Sequence, residues 1–392
     1  MLLVPSLLTL GLAVYGVVEV RRHERQLARI PVRVHVNGTR GKSSVTRLIA
    51  AGLRSTGRRV FAKTTGTMAR MIRPDGGEVD VYRVGRPNVI EQTRVVRRAV
   101  EAGAEALVIE CMAVSPELQP LTELRLIRST VGVITNVRAD HLDEMGPTVD
   151  DVAETLGQTL PVRGHAFTAE RERAPILERI ARRRGTTLTV VDGASVSAAE
   201  LAAFPYIEHA DNVALALAVC AHLGVERARA LAAMQLRTPD PGALRRSILS
   251  SNGRQLEFVN AFAANDPDST LRVWQRLGLE RARPGLRRIV LASCRADRLQ
   301  RSEQIAELVA RRLDAEHVVL AGEGTRLVAL LALQRGLDPE RLRDLGGMGA
   351  ERVVERVLDL VETRAVVVGI GNIVGLGERI ALHFGLRAVG DD

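Results

Sequence analysis

A short β-branched run at 32–36, Val-Arg-Val-His-Val, leads directly into Asn37-Gly38-Thr39-Arg40-Gly41-Lys42-Ser43-Ser44, and a helix-like stretch at 45–53 follows at once. This succession predicts one βα unit, with the N–H groups of the turn and the positive end of the helix facing the carboxyl edge of a sheet. Such a cradle suits phosphate. Lys42 then reaches toward the β- and γ-phosphates, and the hydroxyl of Ser43 or Ser44 offers an oxygen to Mg²⁺. Position 36 is valine, so the loop is the short GTxGK[ST] form rather than GxxxxGK[ST]. All but Lys42 and Lys63 of the 55 basic residues are arginine. Lysine and arginine differ where a compact ammonium is wanted, so these two retained positions stand out.

From residue 31 onward, short β-branched runs alternate with amphipathic stretches, the pattern of βαβ units and a mostly parallel sheet. Strands are expected at 32–36, 59–62, 106–109 and 131–134. A Pro/Gly-rich linker at 238–242 separates these from a second series at 256–259, 289–292, 318–321 and 365–368. The predicted fold class is α/β, with a phosphate-loop domain over 31–240 and a smaller Rossmann-like domain over 241–392. Gly369-Ile370-Gly371 follows the last strand, but the segment lacks the third glycine of a dinucleotide fingerprint and reads as a tight turn.

Two polar sites fall at strand ends, where open α/β sheets bind their ligands. Glu110 closes the apolar run at 106–109; a carboxylate there is costly unless paired, and a metal is one partner that explains it, a salt bridge to an arginine the other. The segment Thr135-Asn136-Val137-Arg138-Ala139-Asp140-His141-Leu142-Asp143 follows the run at 131–134. His141, close to Asn136 and Asp140, is a candidate metal ligand or a group that orients bound water.

Residues 1–18 carry no charged side chain. As a helix they would extend ~27 Å, close to a ~30 Å hydrocarbon core. Residues 21–33 carry Arg21, Arg22, Arg25, Arg29 and Arg33 against one acid, Glu24. By the positive-inside rule this predicts an N-terminal transmembrane helix that, with its basic juxtamembrane segment, occupies 1–30, a single-pass chain in the cell membrane with its bulk in the cytoplasm. The net charge of +9 invites nucleic acid as a partner, but the arginines are spread along the chain and aromatics are only 3%, so no nucleic-acid partner is expected. Cys111, Cys220 and Cys294 lie far apart without any CxxC, which excludes a disulfide framework and a cysteine zinc site.

Three motifs in order, GTRGKSS, the strand-end IEC and TNVRADHLD, resemble those of the Mur ligase superfamily, the ATP-dependent amide ligases of cell-wall precursor and folylpolyglutamate synthesis. Within it the chain looks most like the poly-γ-glutamate synthase PgsB/CapB branch. The features that point there are an apolar N-terminus running straight into the phosphate-loop domain, Lys63-Thr64-Thr65-Gly66-Thr67, the FAANDPDS segment at 262–269 and VGIGNIVG at 368–375. The likeness covers residues 1–385.

The resemblance implies a Mur-ligase-type central domain with ATP and Mg²⁺ (or Mn²⁺). It places Gly38, Thr39, Arg40, Gly41, Lys42, Ser43 and Ser44 on the phosphates, and Ser43, Glu110 and His141 around the metal. Lys42, Glu110 and His141 are then the catalytic set. Asn212, with His209, matches the segment that contacts the nucleotide base, and Asp297-Arg298 matches the C-terminal DR pair. Thr65, Arg245, Asn265 and Asp266 are implied on the substrate side.

Departures from the pattern are equally specific. No lysine follows Lys63, so the carbamoylated lysine of many Mur ligases cannot form; Arg163 and His165 are candidate electrostatic substitutes. The usual PGR arginine slot is Ala243, with Arg245 nearby, and the DxAHNP segment reads FAANDP. The substrate-binding domain that precedes the loop in peptidoglycan ligases is not expected.

The implied reaction phosphorylates a γ-carboxylate with ATP, and the amine of glutamate then attacks the acyl phosphate. It demands charge neutralisation around the phosphoryl group and close placement of two anions, for which cleft arginines are suited. Implied partners are glutamate, the poly-γ-glutamate chain, a PgsC/CapC-like small membrane subunit and PgsA/CapA-type proteins, as in capsule synthesis, with self-association possible. The alternatives are a P-loop ATPase energising or regulating a membrane complex, and a folylpolyglutamate-like Mur ligase.

Overall fold

The computed structural model describes residues 3–65, 69–83, 87–206, 208–236, 245–251, 253–262, 264 and 267–389. The chain divides into two compact units, Met1–Asp240 and Pro241–Asp392.

The first unit is built on eight strands: β1 (Val32–Asn37), β2 (Val60–Lys63), β3 (Arg70–Ile72), β4 (Glu78–Asp80), β5 (Ala106–Glu110), β6 (Val131–Ile134), β7 (His165–Thr168) and β8 (Thr187–Val190). Their order is β4-β3-β2-β5-β1-β6-β7-β8. β1 lies between β5 and β6 and runs parallel to both. β3 and β4 add an antiparallel edge beside β2. The central strands read as apolar runs because helices cover both faces, and Val34, Val36, Leu107, Val108 and Ile109 are fully buried. The helix Lys42–Arg54 packs against the helix Ala210–His222.

Each of the four strands expected in this unit is present to within a residue or two of its bounds. In the parallel register Asn37 pairs with Ile134 and Ile134 with Thr168, while Val131 pairs with His165. Asn37, Glu110 and Thr168 therefore share the carboxyl edge. His165 and the preceding Arg163 lie at the opposite, amino edge, where His165 stacks on His222 with ring centroids 4.2 Å apart. Neither residue can replace a metal-supporting carbamate at the carboxyl edge, so that expectation is corrected.

The expected transmembrane helix is also not met. Residues 1–2 are outside the described residues, and among the described residues no helix is long and apolar enough to cross a membrane. The segment forms the start of a helix Leu3–Ala28, in which Ser6, Thr9, Gly11, Tyr15, Gly16 and Glu19 dilute the apolar run. Its last turns pack on the first unit. Leu27 is buried, His23 Nε2 lies 2.8 Å from the Leu126 carbonyl, and Arg128 pairs with Glu24 at 3.0 Å.

The second unit holds β9 (Arg245–Ser251), β10 (Arg254–Asn260), β11 (Leu286–Cys294), β12 (His317–Gly322), β13 (Leu342–Gly346) and β14 (Arg364–Gly371), in the order β13-β12-β11-β14-β10-β9. All pairs are parallel except β9 with β10. Phe258 stacks on Phe384 at 4.0 Å on one face, and Trp274 is buried on the other. The expected tight turn is present: Gly371 takes φ 94°, and a Cβ there would stand 2.5 Å from the Ser293 carbonyl oxygen.

Candidate active site

The site begins where β1 ends. Asn37 turns its carbonyl-bearing side chain onto the next residue, accepting from the Gly38 N–H at 2.8 Å. Its amide donates to Gln119 and Thr159 beneath the loop. Gly38 takes φ 129° because a side chain there would run into Thr135. Gly41 takes φ 83° as the residue that starts the helix Lys42–Arg54, so the loop can turn tightly into the helix start. Lys42 Nζ lies over this turn, donating to the carbonyls of Gly38 at 2.6 Å and Thr39 at 3.3 Å.

Asn136 clamps the loop from the β6 side. Its Oδ1 accepts from Thr39 Oγ1 at 2.8 Å and from the Arg40 N–H at 3.1 Å, and its Nδ2 donates to the Arg40 carbonyl. Thr135 Oγ1 donates to the same carbonyl at 2.6 Å. Arg40 pairs with Asp140 at 2.9 Å. These contacts fix the loop by groups more than 90 residues away in sequence.

Ser43 and Glu110 meet at the junction of loop and β5. Glu110 is 2% exposed, and its Oε2 accepts from Ser43 Oγ and from the Thr65 N–H, both at 2.7 Å. Gln92 Nε2 secures the Glu110 carbonyl at 3.1 Å. Behind this pair Lys63 is fully buried, its Nζ 2.9 Å from Glu91, which is also held by Arg83. Burial lowers the Lys63 pKa, with Glu91 and Glu110 opposing that shift. For Glu91, burial raises the pKa but is outweighed by Arg83 and Lys63, so the carboxyl is held below its usual range. The second retained lysine is thus a buried charge behind the site, not a surface residue.

His141 stands apart from that pair. It takes the left-handed conformation, φ 48°, and its half-exposed ring lies 4.0 Å from Asp140. It is not hydrogen-bonded to Ser43 or Glu110. Among the described residues no three His, Cys, Asp or Glu side chains gather as a metal-holding group. What the structure does bring together is a buried carboxylate and a hydroxyl at a phosphate loop, hard oxygen donors of the kind Mg²⁺ or Mn²⁺ takes.

Asn212, in the first turn of the helix Ala210–His222, faces the loop itself: its Oδ1 would stand 2.6 Å from a Cβ on Gly41. Its Nδ2 donates to Glu208 Oε1 at 2.9 Å, and Ser44 Oγ donates to Glu208 Oε2. The two serines therefore divide, Ser43 to Glu110 and Ser44 to Glu208. Sequence reasoning missed Glu208 and also Glu170, whose Oε2 accepts from the Val137 N–H at 2.9 Å and shapes the loop after β6. Glu208 was discoverable only as an acidic residue just before His209.

In the second unit, Asp297 is engaged by Arg295 in a two-pronged ion pair at 2.9 and 2.8 Å, and Arg298 immediately precedes the helix Leu299–Glu307. The Asp297 carboxyl is held below its usual range by the Arg295 hydrogen bond. Arg245 opens β9 opposite Asn260. Asn265 and Asp266 lie outside the described residues, as do Gly66, Thr67 and Ala243.

Comparison with known proteins gives a consistent picture. Residues 36–202 match the Mur ligase middle domain, and residues 246–386 match the poly-gamma-glutamate synthase CapB C-terminal domain. The chain is 39% identical over 380 residues to the capsule biosynthesis protein CapB of Bacillus anthracis, covering 96% of this chain and 82% of that one. It is 38% identical over 367 residues to the PGA synthase CapB of Bacillus subtilis, covering 93% of each. Among solved structures, the bifunctional folylpolyglutamate synthase/dihydrofolate synthase of Yersinia pestis, complexed with AMPPNP and Mn ion, matches with a TM-score of 0.70 at 16% identity over 94% of this chain and 92% of that one. The folylpolyglutamate synthase of Mycobacterium tuberculosis complexed with ADP and AMPPCP gives 0.66 at 16% identity, covering 95% and 98%. These structural likenesses establish a shared fold.

Proposed function

The chain belongs to the poly-gamma-glutamate synthase CapB family, and we infer that it is an ATP-dependent amide ligase that polymerises glutamate. The observation that carries this reading is the Ser43–Glu110 pair beside Lys42, at the carboxyl edge of the sheet, in a chain so similar to CapB relatives.

In the proposed reaction a γ-carboxylate oxygen attacks the γ-phosphorus of ATP and ADP departs. The amine of a second glutamate attacks the resulting acyl carbon, phosphate leaves with the former carboxylate oxygen, and the nitrogen gives up a proton as the amide forms. Lys42 moves from the Gly38 and Thr39 carbonyls to the phosphate oxygens, and the N–H groups at the start of the helix Lys42–Arg54 stabilise the negative charge. Ser43 and Glu110 would hold a divalent metal, with His141 proposed as a further ligand, and when bound that ion would supply neutralisation of the phosphate charge. Asn136, Thr135 and Asn212 keep the loop in the shape that receives them. Thr65, Arg245, Asn265, Asp266, Asp297 and Arg298 are proposed on the substrate and nucleotide sides.

The acyl-phosphate step is tested with glutamate labelled by ¹⁸O at both oxygens of its γ-carboxylate as the sole substrate. One labelled oxygen is expected in the released phosphate for each bond formed; unlabelled phosphate would contradict the step.

Location is part of the same proposal: the N-terminal helix holds the enzyme at the cytoplasmic face of a membrane, beside a small CapC-like subunit and CapA-type proteins. In support, Leu10, Leu12, Val14, Val17 and Val18 are exposed along it and Arg21, Arg22, Arg25 and Arg29 follow. Deletion of residues 1–18 is expected to release the protein from membranes with which the full-length chain co-sediments, and equal co-sedimentation of the two would overturn this part.

A further inference from the structure

We propose that Glu208 is a positioning residue that latches the start of the helix Ala210–His222 to the phosphate loop through Ser44 and Asn212. The proposal rests on the loop being the ATP site and adds to it a division of labour between its two serines.

Glu208 is 4% exposed, and a buried carboxylate is costly unless its oxygens are satisfied by donors. Among the described residues, donors from two segments meet it. Ser44 Oγ donates to Oε2; Asn212 Nδ2 at 2.9 Å and the His209 N–H at 3.0 Å donate to Oε1. Ser44 lies in the first turn of the helix Lys42–Arg54, and Asn212 in the first turn of the helix Ala210–His222. One side chain thus joins two helix N-termini that lie 164 residues apart in sequence.

The bond to Asn212 also fixes which way its amide faces. With Nδ2 committed to Glu208, Oδ1 is the atom turned toward Gly41, where a Cβ would stand 2.6 Å away. Gly41 is the pivot of the loop, at φ 83°. Glu208 therefore reaches the loop at two points, through the Ser44 hydroxyl and through the Asn212 amide packed on Gly41. Ser44 is paired with Glu208 and Ser43 with Glu110, so it is the Ser43 oxygen that lies beside the carboxylate proposed to hold the metal.

Binding of a nonhydrolysable ATP analogue with Mg²⁺, measured on the full-length chain together with thermal melting, tests the latch independently of ligation. Glu208→Ala and Ser44→Ala are each expected to weaken binding, the former by about tenfold, and the double variant should be no weaker than Glu208→Ala because one interaction is lost in all three. Glu208→Gln retains an acceptor for Asn212, and Ser44 can accept from the new amide, so binding should recover to within about threefold of wild type. Additive losses, a Ser44→Ala defect that excess Mg²⁺ repairs, or a lower melting temperature with unchanged binding would each overturn the latch. If the wild type binds the analogue but fails to ligate glutamate, the ligase reading fails and the latch stands; if the wild type does not bind it, both fall.

Discussion

Ser43 donates to Glu110 Oε2 at 2.7 Å, so the hydroxyl that opens the helix after the phosphate loop and the carboxylate that ends β5 form one polar pair. β1 and β5 are parallel neighbours, with Val36 opposite Glu110, and this register brings the loop and the strand end together. A divalent ion is expected to enter between these two groups. Glu110→Gln preserves the shape and removes the charge. It should lower metal affinity and turnover by at least about 10- to 100-fold while the melting temperature holds. Titration of activity against Mg²⁺ checks this, and an unchanged metal requirement would count against the assignment.

Gly41→Ala puts a Cβ at φ 83° and against the Asn212 oxygen. Strain of about 1–3 kcal/mol is expected at that pivot. Nucleotide binding should weaken sharply, whereas the same exchange at Gly57, also at positive φ but with nothing within 4 Å, should leave binding alone. Parallel binding isotherms decide it.

Lys63 is expected to stabilise the fold rather than touch ATP. Lys63→Met removes the buried partner of Glu91 while Arg83 remains, so a loss of roughly 3 kcal/mol or less is expected, visible in denaturant unfolding. Nucleotide affinity measured below the transition should change little. A large loss of affinity at full stability would instead place the ammonium at the phosphates.

The buried His35–Glu123 pair, at 2.8 Å, gives the fold a pH dependence. Burial disfavours the imidazolium, but Cys111 and Glu123 outweigh it and raise the His35 pKa to about 10 from 6.5. A pKa raised on folding contributes stability that is complete below pH 6.5 and is lost as pH rises through about 10. Denaturant midpoints should therefore fall between those limits in the wild type, and the part owed to this pair should vanish in His35→Gln.

The strand-loop-helix start, the central parallel strands and Glu110 were legible in the sequence because each depends on neighbours in the chain. β3 and β4 were not, being three residues each and only partly buried, and β8 was hidden because most of its side chains are exposed. The Asn136 clamp and the Glu208 latch join residues 97 and 164 positions apart, and neither local periodicity nor spacing carries that information. His165 shows the converse error. It follows the DHLD segment in sequence, yet the parallel register places it at the far edge of the sheet. The apolar start of the chain was conspicuous, but its helix continues beyond the apolar run and its last turns pack on the first unit.

ADP release in membranes containing this protein, with and without glutamate, for the wild type and Lys42→Ala, tests the central claim most directly. Glutamate-dependent release accompanied by a glutamate polymer, both abolished by the substitution, is the predicted result. ATP turnover indifferent to glutamate, or polymer formation that survives the loss of Lys42, would contradict it.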